Sequence, residues 1–282
     1  AQLAERGFKQ DVSEWTKQKL KMVSVPILLK SVLPESLHQK YLRPFFNGII
    51  SSNNAKKADF ERIAEIFGDE VNRLNDKFVY NGIVMTRENL LVMMLNTGTV
   101  HNVRTLATTM LHNADRWGLQ VKNKNRFTED EIQSAINLAR DICASAPDNF
   151  ADIVSDIWAL IDSKKEQMRA AYKHVTNNLM KFEQIEQLDG VNPKLKGGYY
   201  PIHRMYLTKT QDDLFSQNFR DTTAMSTVSS LKDRGDATAT DLSLTLDGLN
   251  QWVETTERYS NVAVPYYELA SFFNQQKVAE AL

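Results

Sequence analysis

Apolar residues recur at every third or fourth position along most of this chain, which is the spacing of one face of an α-helix. The clearest stripe is Phe60, Ile63, Ala64, Phe67, Val71, Leu74 and Phe78, with Asp59, Glu61, Glu65, Asp69 and Lys77 falling mostly elsewhere. It predicts a half-buried helix over residues 56–78. Only 11 glycines and 7 prolines punctuate 282 residues, a scarcity that disfavours turn-rich all-β folds. A chain of this length can bury a sizeable core as one large domain or two small ones.

The same period predicts most of the other elements. Residues 3–23 are polar and helix-permissive, with Phe8, Trp15 and Leu20 as sparse anchors. Pro26 opens a short apolar stretch over residues 26–33, for which a place in the core outweighs contact with a membrane surface. Pro34 punctuates again before a helix over residues 35–50. Thr86 opens a helix carrying Leu90, Leu91, Met93, Met94 and Leu95, and Asn96-Thr97-Gly98 ends it. Thr99 caps the next helix, with Val103, Leu106, Ala107, Met110 and Leu111 inward, so the pair reads as an αα-hairpin. Thr128 and Glu131 form a capping box ahead of a helix that places Cys143 on its apolar side.

Residues 150–182 read as one helix longer than the usual globular length, or two stacked end to end, forming a spine. After it, Pro193, Gly197, Gly198 and Pro201 cluster around Tyr199, Tyr200, Ile202 and Tyr206, the one extended region expected. Residues 208–240, rich in Thr, Ser and Asp, read as a polar loop with one short helix near residues 215–219. Asp241 opens an amphipathic helix through Leu242, Leu246, Leu249, Trp252 and Val253, and Pro265 starts the last one. The expected fold is mainly α, an irregular multi-helix domain with a long central helix and a small extended segment. Residues 1–85 form an N-terminal helical segment and residues 86–282 the helical domain proper. The last helix pattern is still running at Leu282, which suggests a piece of a longer polypeptide.

Composition narrows the chemistry. The formal net charge of -1 lacks the basic excess of a dedicated nucleic-acid-binding domain. The basic runs at residues 17–21 and 122–126 read as solvated faces. One cysteine excludes an internal disulfide and a multi-cysteine zinc site, and its apolar position reads as a small buried hydrophobe. His38, His101, His112, His174 and His203 have no metal-ligand spacing, though His101 and His112 share one helix. No stretch is apolar enough to span a membrane, and no leader-like pattern opens the chain. No carboxylate pair is marked out for acid–base work, and phosphate-loop and nucleophile-elbow motifs are missing. Arg234-Gly235-Asp236 is a chance tripeptide. No catalytic residue, cofactor or metal is therefore expected.

Two local patterns are more specific. One is the turn Asn96-Thr97-Gly98-Thr99-Val100-His101-Asn102; the other is the corner Gly197-Gly198-Tyr199-Tyr200-Pro201. The two glycines permit positive φ and a tight reversal, the tyrosines point to opposite faces of an extended chain, and Pro201 forbids a central strand position. The corner reads as a rigid structural element.

The order of these patterns resembles a region of very large phage internal proteins that are ejected into the host with the DNA, and of polyvalent proteins of phages and mobile elements. The resemblance runs over about residues 86–282. It is carried by Asn96, Gly98 and Asn102 in an Asn-x-Gly-Asn-x-x-Asn-like turn, with Thr99 where a further Asn is usual. It continues through Trp158-Ala159-Leu160-Ile161-Asp162 to the corner at Gly197, Gly198, Tyr199, Tyr200 and Pro201, which is intact. The resemblance implies a structural or interaction domain of a virion protein, located in the virion and, after ejection, in the host cell. Its partners would be other virion proteins or further copies of itself. The alternative is a nucleic-acid-binding or processing module, part of an ejected polymerase or antirestriction protein. Residues 208–240 and the aromatic-rich helix over residues 266–282 are the candidate contact regions.

Overall fold

The computed structural model describes residues 35–123, 126–202 and 242–273. The expectations for residues 3–33, the polar loop 208–240, His203, Tyr206, Arg234-Gly235-Asp236 and the final residues of the last helix lie outside them. So do the basic run 17–21 and part of the run 122–126.

The chain is mainly α. A short helical lead-in, Glu35–Leu37, and a π-helical turn, His38–Leu42, precede α1, Arg43–Phe67. A 3-10 turn, Gly68–Arg73, leads to a hairpin of β1, Lys77–Tyr80, and β2, Ile83–Thr86. The remaining helices are α2, Arg87–Leu95; α3, Val100–His112; α4, Ala114–Trp117; α5, Glu129–Ala144; α6, Asp148–Ser163; α7, Lys165–Thr176; and α8, Asp247–Phe273.

Two compact units divide the chain. One holds the described residues up to Ser52 with those from Asn261 onward. Within it Tyr41 stacks on Phe272 with ring centroids 4.5 Å apart, and Phe45 lies 6.3 Å from Tyr266. Tyr266 and Tyr267 keep more than a third of their surface exposed. Pro265 withholds the amide that would bond the carbonyl of Asn261, and it sits inside α8 rather than starting a helix. A Cβ on residue 48 would lie 2.5 Å from that carbonyl oxygen, so only glycine lets the backbone come this close.

The larger unit spans Asn53–Ser260 and carries the core. Its most deeply buried helix is α2. Every residue from Leu90 to Leu95 is buried, so beyond its polar first turn this short helix is apolar on all sides, and α5, α6 and the hairpin pack on it. Of the two alternatives for residues 150–182 the structure has the second, two successive helices that part at Lys164, and α7 ends at Asn177, whose φ of 55° is left-handed. Leu179, counted with the spine, is exposed.

The helix expected over residues 56–78 also stops early. Phe78 pairs with Met85 in the hairpin, and Asn81-Gly82, both at positive φ, makes the tight turn. This pair of strands is the sheet of the described residues. The extended region expected from Tyr199 joins no sheet in its described part, up to Ile202.

The caps form as expected. Thr86 accepts from the amide of Asn89, Thr99 from that of Asn102, and Thr128 from that of Glu131. The Glu131 carboxylate accepts in return from the amides of Thr128 and Lys122, which hold its pKa below the usual range. A buried pair, Glu70 with Arg87, joins the 3-10 turn to the start of α2, and Asn149 of α6 donates to Glu70 at 3.1 Å. Burial pushes the Glu70 carboxyl up, but hydrogen bonds from Arg87 and Asn149 outweigh it and hold the group ionised.

Candidate functional site

The αα-hairpin turn and the glycine-tyrosine corner are the two sides of one contact. Asn96, Thr97 and Thr99 are fully buried in the turn between α2 and α3. The Asn96 side chain donates to the carbonyl of Val92, and the Thr97 hydroxyl to that of Met94, closing off the end of α2. Asn102, one turn into α3, donates from Nδ2 to the carbonyl of Tyr200 at 2.8 Å. Trp158 of α6 donates from its indole to the carbonyl of Leu95 at 3.1 Å.

The glycines fit for steric reasons. A Cβ on Gly98 would stand 2.1 Å from the carbonyl oxygen of Gly198, and one on Gly198 would stand 2.2 Å from Cγ of Trp158. Gly197 has φ +85°, where a side chain is strained. Tyr199, Tyr200 and Pro201 are all buried. Burial first, then the nearby carboxylates Glu88 and Asp247, push the Tyr200 phenol well above its ordinary value. Asn96, Gly98, Asn102, Gly197, Gly198, Tyr199, Tyr200 and Pro201 thus share one buried junction.

A third segment completes the junction without having been legible in the sequence. The amide of Glu186 donates to the carbonyl of Gly98 at 3.1 Å and that of Leu188 to Thr97 at 2.9 Å. Gln187 reaches the Thr97 hydroxyl at 3.2 Å. Residues 186–188 therefore bond edge-on to the turn, although no apolar alternation marks them.

Beside the junction lies a cleft of about 430 Å³ between α6 and residues 194–199. Lys165, Lys194 and Lys196 line it, with Asp162, Trp158 and Gly197. Lys165 bonds Asp162 at 2.5 Å, and its ammonium lies 5.6 Å from the centre of the Phe182 ring. Lys194 reaches both oxygens of Asp152, at 3.0 and 3.3 Å.

A second polar site is internal. Lys164, at the break between α6 and α7, reaches Asp59 of α1 at 2.7 Å and Glu257 of α8 at 2.8 Å. Asp59 is 5% exposed and Glu257 1%. Asp59, placed by sequence outside the apolar stripe, is thus buried, and the scattered carboxylates do contain a pair held by one lysine. Burial, together with the charge of Glu257, raises the Asp59 pKa against the opposing pull of Lys164. Burial also works against the Lys164 charge, but the two carboxylates more than offset it and raise its pKa.

The other residues singled out stay apart. His101 and His112 lie on α3, with the His112 ring 5.0 Å from that of Phe127. No group of three or more His, Cys, Asp and Glu able to hold a metal occurs among the described residues. No helix among them is long and apolar enough to cross a membrane. Cys143 is buried, and burial pushes its thiol up to about 12. Thiol reagents at neutral pH are therefore expected to leave Cys143 unmodified in the folded chain and to modify it fully in denaturant. Rapid labelling of the native protein would contradict that burial.

No protein family, curated protein or solved structure matches this chain.

Proposed function

We propose that this chain is a structural and interaction domain of a large phage virion protein that is packaged in the capsid and ejected with the DNA. One observation carries the reading. The two patterns behind the resemblance lie far apart in sequence, yet they meet in one buried contact, Gly98 against Gly198, with Asn102 bonded to Tyr200. A paired pattern of this kind follows from a folding unit, because neither half is packed without the other. The side-chain donors of Asn96, Thr97 and Asn102 are spent on the end of α2 and on the corner backbone, so they position chain. The exposed rings of Tyr266 and Tyr267 suit contact with other virion proteins.

The test is the location of the protein. In purified, nuclease-treated particles whose genome encodes this chain, mass spectrometry should find its peptides. They should leave the capsid on ejection and appear in the host-cell fraction. Abundance in infected cells with none in particles would overturn the virion reading and favour an intracellular nucleic-acid-processing module.

A further inference from the structure

We propose that the cleft between α6 and residues 194–199 binds a small phosphate monoester. Lys165, Lys194 and Lys196 converge on it from two separate stretches of chain. Asp162 and Asp152 offset two of these charges, and Lys196 has no ion pair among the described residues, so one positive charge is left over. An ammonium carries three donors. The carboxylates on Lys165 and Lys194 use part of that capacity and fix where the rest can point. Lys165 is only 17% exposed, so the fold holds its ammonium in place ahead of any ligand. Gly197 and Gly198 bring no side chain to fill the space.

Size and surface choose among anions. At about 430 Å³ the cleft is within the roughly 300–1,000 Å³ range of small-molecule sites. Sequence-tolerant binding of single strands uses exposed aromatic faces on which bases stack. Here Trp158 and Tyr199 are each 5% exposed, and Trp158 is covered by Gly198. The cleft therefore offers cations without a stacking platform, which fits a phosphate group on a compact polar body. This site is independent of whether the protein travels in a virion.

Calorimetry and NMR titration of the full chain test it, using glucose 6-phosphate, inorganic phosphate, glucose and a short single-stranded oligothymidylate. Glucose 6-phosphate should bind saturably at one site and weaken as salt rises. Inorganic phosphate should bind the same site more weakly and glucose not at all. Lys194→Ala and Lys196→Ala should each weaken binding about tenfold, the scale of one charge-assisted hydrogen bond, and the double variant should abolish it. Both side chains are exposed, so the variants should keep the wild-type circular dichroism and melting midpoint. The proposal is overturned if glucose 6-phosphate gives no saturable binding, or binds the double variant equally well. Tighter binding of the oligonucleotide through the same lysines would overturn the monoester assignment in favour of a nucleic-acid site.

Discussion

Gly98→Ala is expected to be among the most destabilising single substitutions in this chain. The added methyl would stand 2.1 Å from the carbonyl oxygen of Gly198, 2.4 Å from its nitrogen and 2.7 Å from the Trp158 ring. Two of those three atoms are backbone, so no rotamer change relieves the clash. The corner has to move away from the turn. That loosens the bonds from Glu186 to Gly98, from Leu188 to Thr97 and from Asn102 to Tyr200 together. Overpacking a tight core alone costs about 1–3 kcal/mol, and each buried hydrogen-bonding group left unpaired adds about 1–3. Against a typical total of about 5–15 kcal/mol, a loss above about 4 kcal/mol removes much of the fold's margin. Gly198→Ala meets Trp158 at 2.2 Å and should behave alike. Gly118→Asn is the control: its φ is +66° but nothing lies within 4 Å of the new Cβ, and Asn tolerates that conformation, so it should cost under about 1 kcal/mol. Urea unfolding of the three variants decides the matter. Equal midpoints would mean that the close approach of Gly98 and Gly198 does not hold the unit together.

The parts of this architecture that were legible in the sequence are those whose signal is local. Thr86, Thr99 and Thr128 sit three residues ahead of the residues whose amides they cap, and the Asn96-to-Thr99 turn between two apolar stripes gives the αα-hairpin. The Gly197-Gly198 corner was legible as a backbone feature, but its partner was not, because nothing in a glycine's neighbours states which chain will cross it. The β-hairpin was hidden by coincidence of spacing. Phe78 follows Leu74 at the helical interval, and four-residue strands are too short to establish a period of two against the stripe before them. The Asn81-Gly82 dipeptide was the available signal. The break at Lys164 lay in a charged stretch that a surface turn of helix also explains. At that break Lys164 pairs with Asp59 and Glu257, each from a helix distant in sequence. A charged residue at the margin of an apolar stripe reads as solvated unless its partner is known, which is why the pair of buried carboxylates went unseen.

Lys164→Met should expose what that lysine does. The substitution keeps most of the side-chain volume and removes an ammonium that bridges two buried carboxylates. Breaking a buried ion pair from one side costs about 3–5 kcal/mol, because the remaining buried charge loses that counter-charge without gaining solvent. The second substitution, Asp59→Asn, separates charge from packing. Asp59 has a pKa raised above its model-peptide value of 3.8, so the folded chain holds this proton more tightly than the unfolded chain does. Its contribution is then fully present below that value and is lost as pH rises through the folded pKa. Glu70 runs the other way: its lowered pKa gives stability that is present above 4.5 and is lost as pH falls through the folded value. The wild-type profile mixes the two, and the difference between wild type and Asp59→Asn isolates the first. That difference should shift in favour of Asp59→Asn as pH rises from acid toward neutral, since the amide cannot ionise beside Glu257. Lys164→Met should steepen the same dependence, because the Asp59 carboxylate then loses its counter-charge. Adding Asp59→Asn to Lys164→Met should recover part of the loss at neutral pH and little of it in acid. Urea midpoints for the four proteins at two pH values measure all of this. If Lys164→Met costs less than about 1 kcal/mol at neutral pH, and the double variant recovers nothing, then Asp59, Lys164 and Glu257 do not form a coupled buried site.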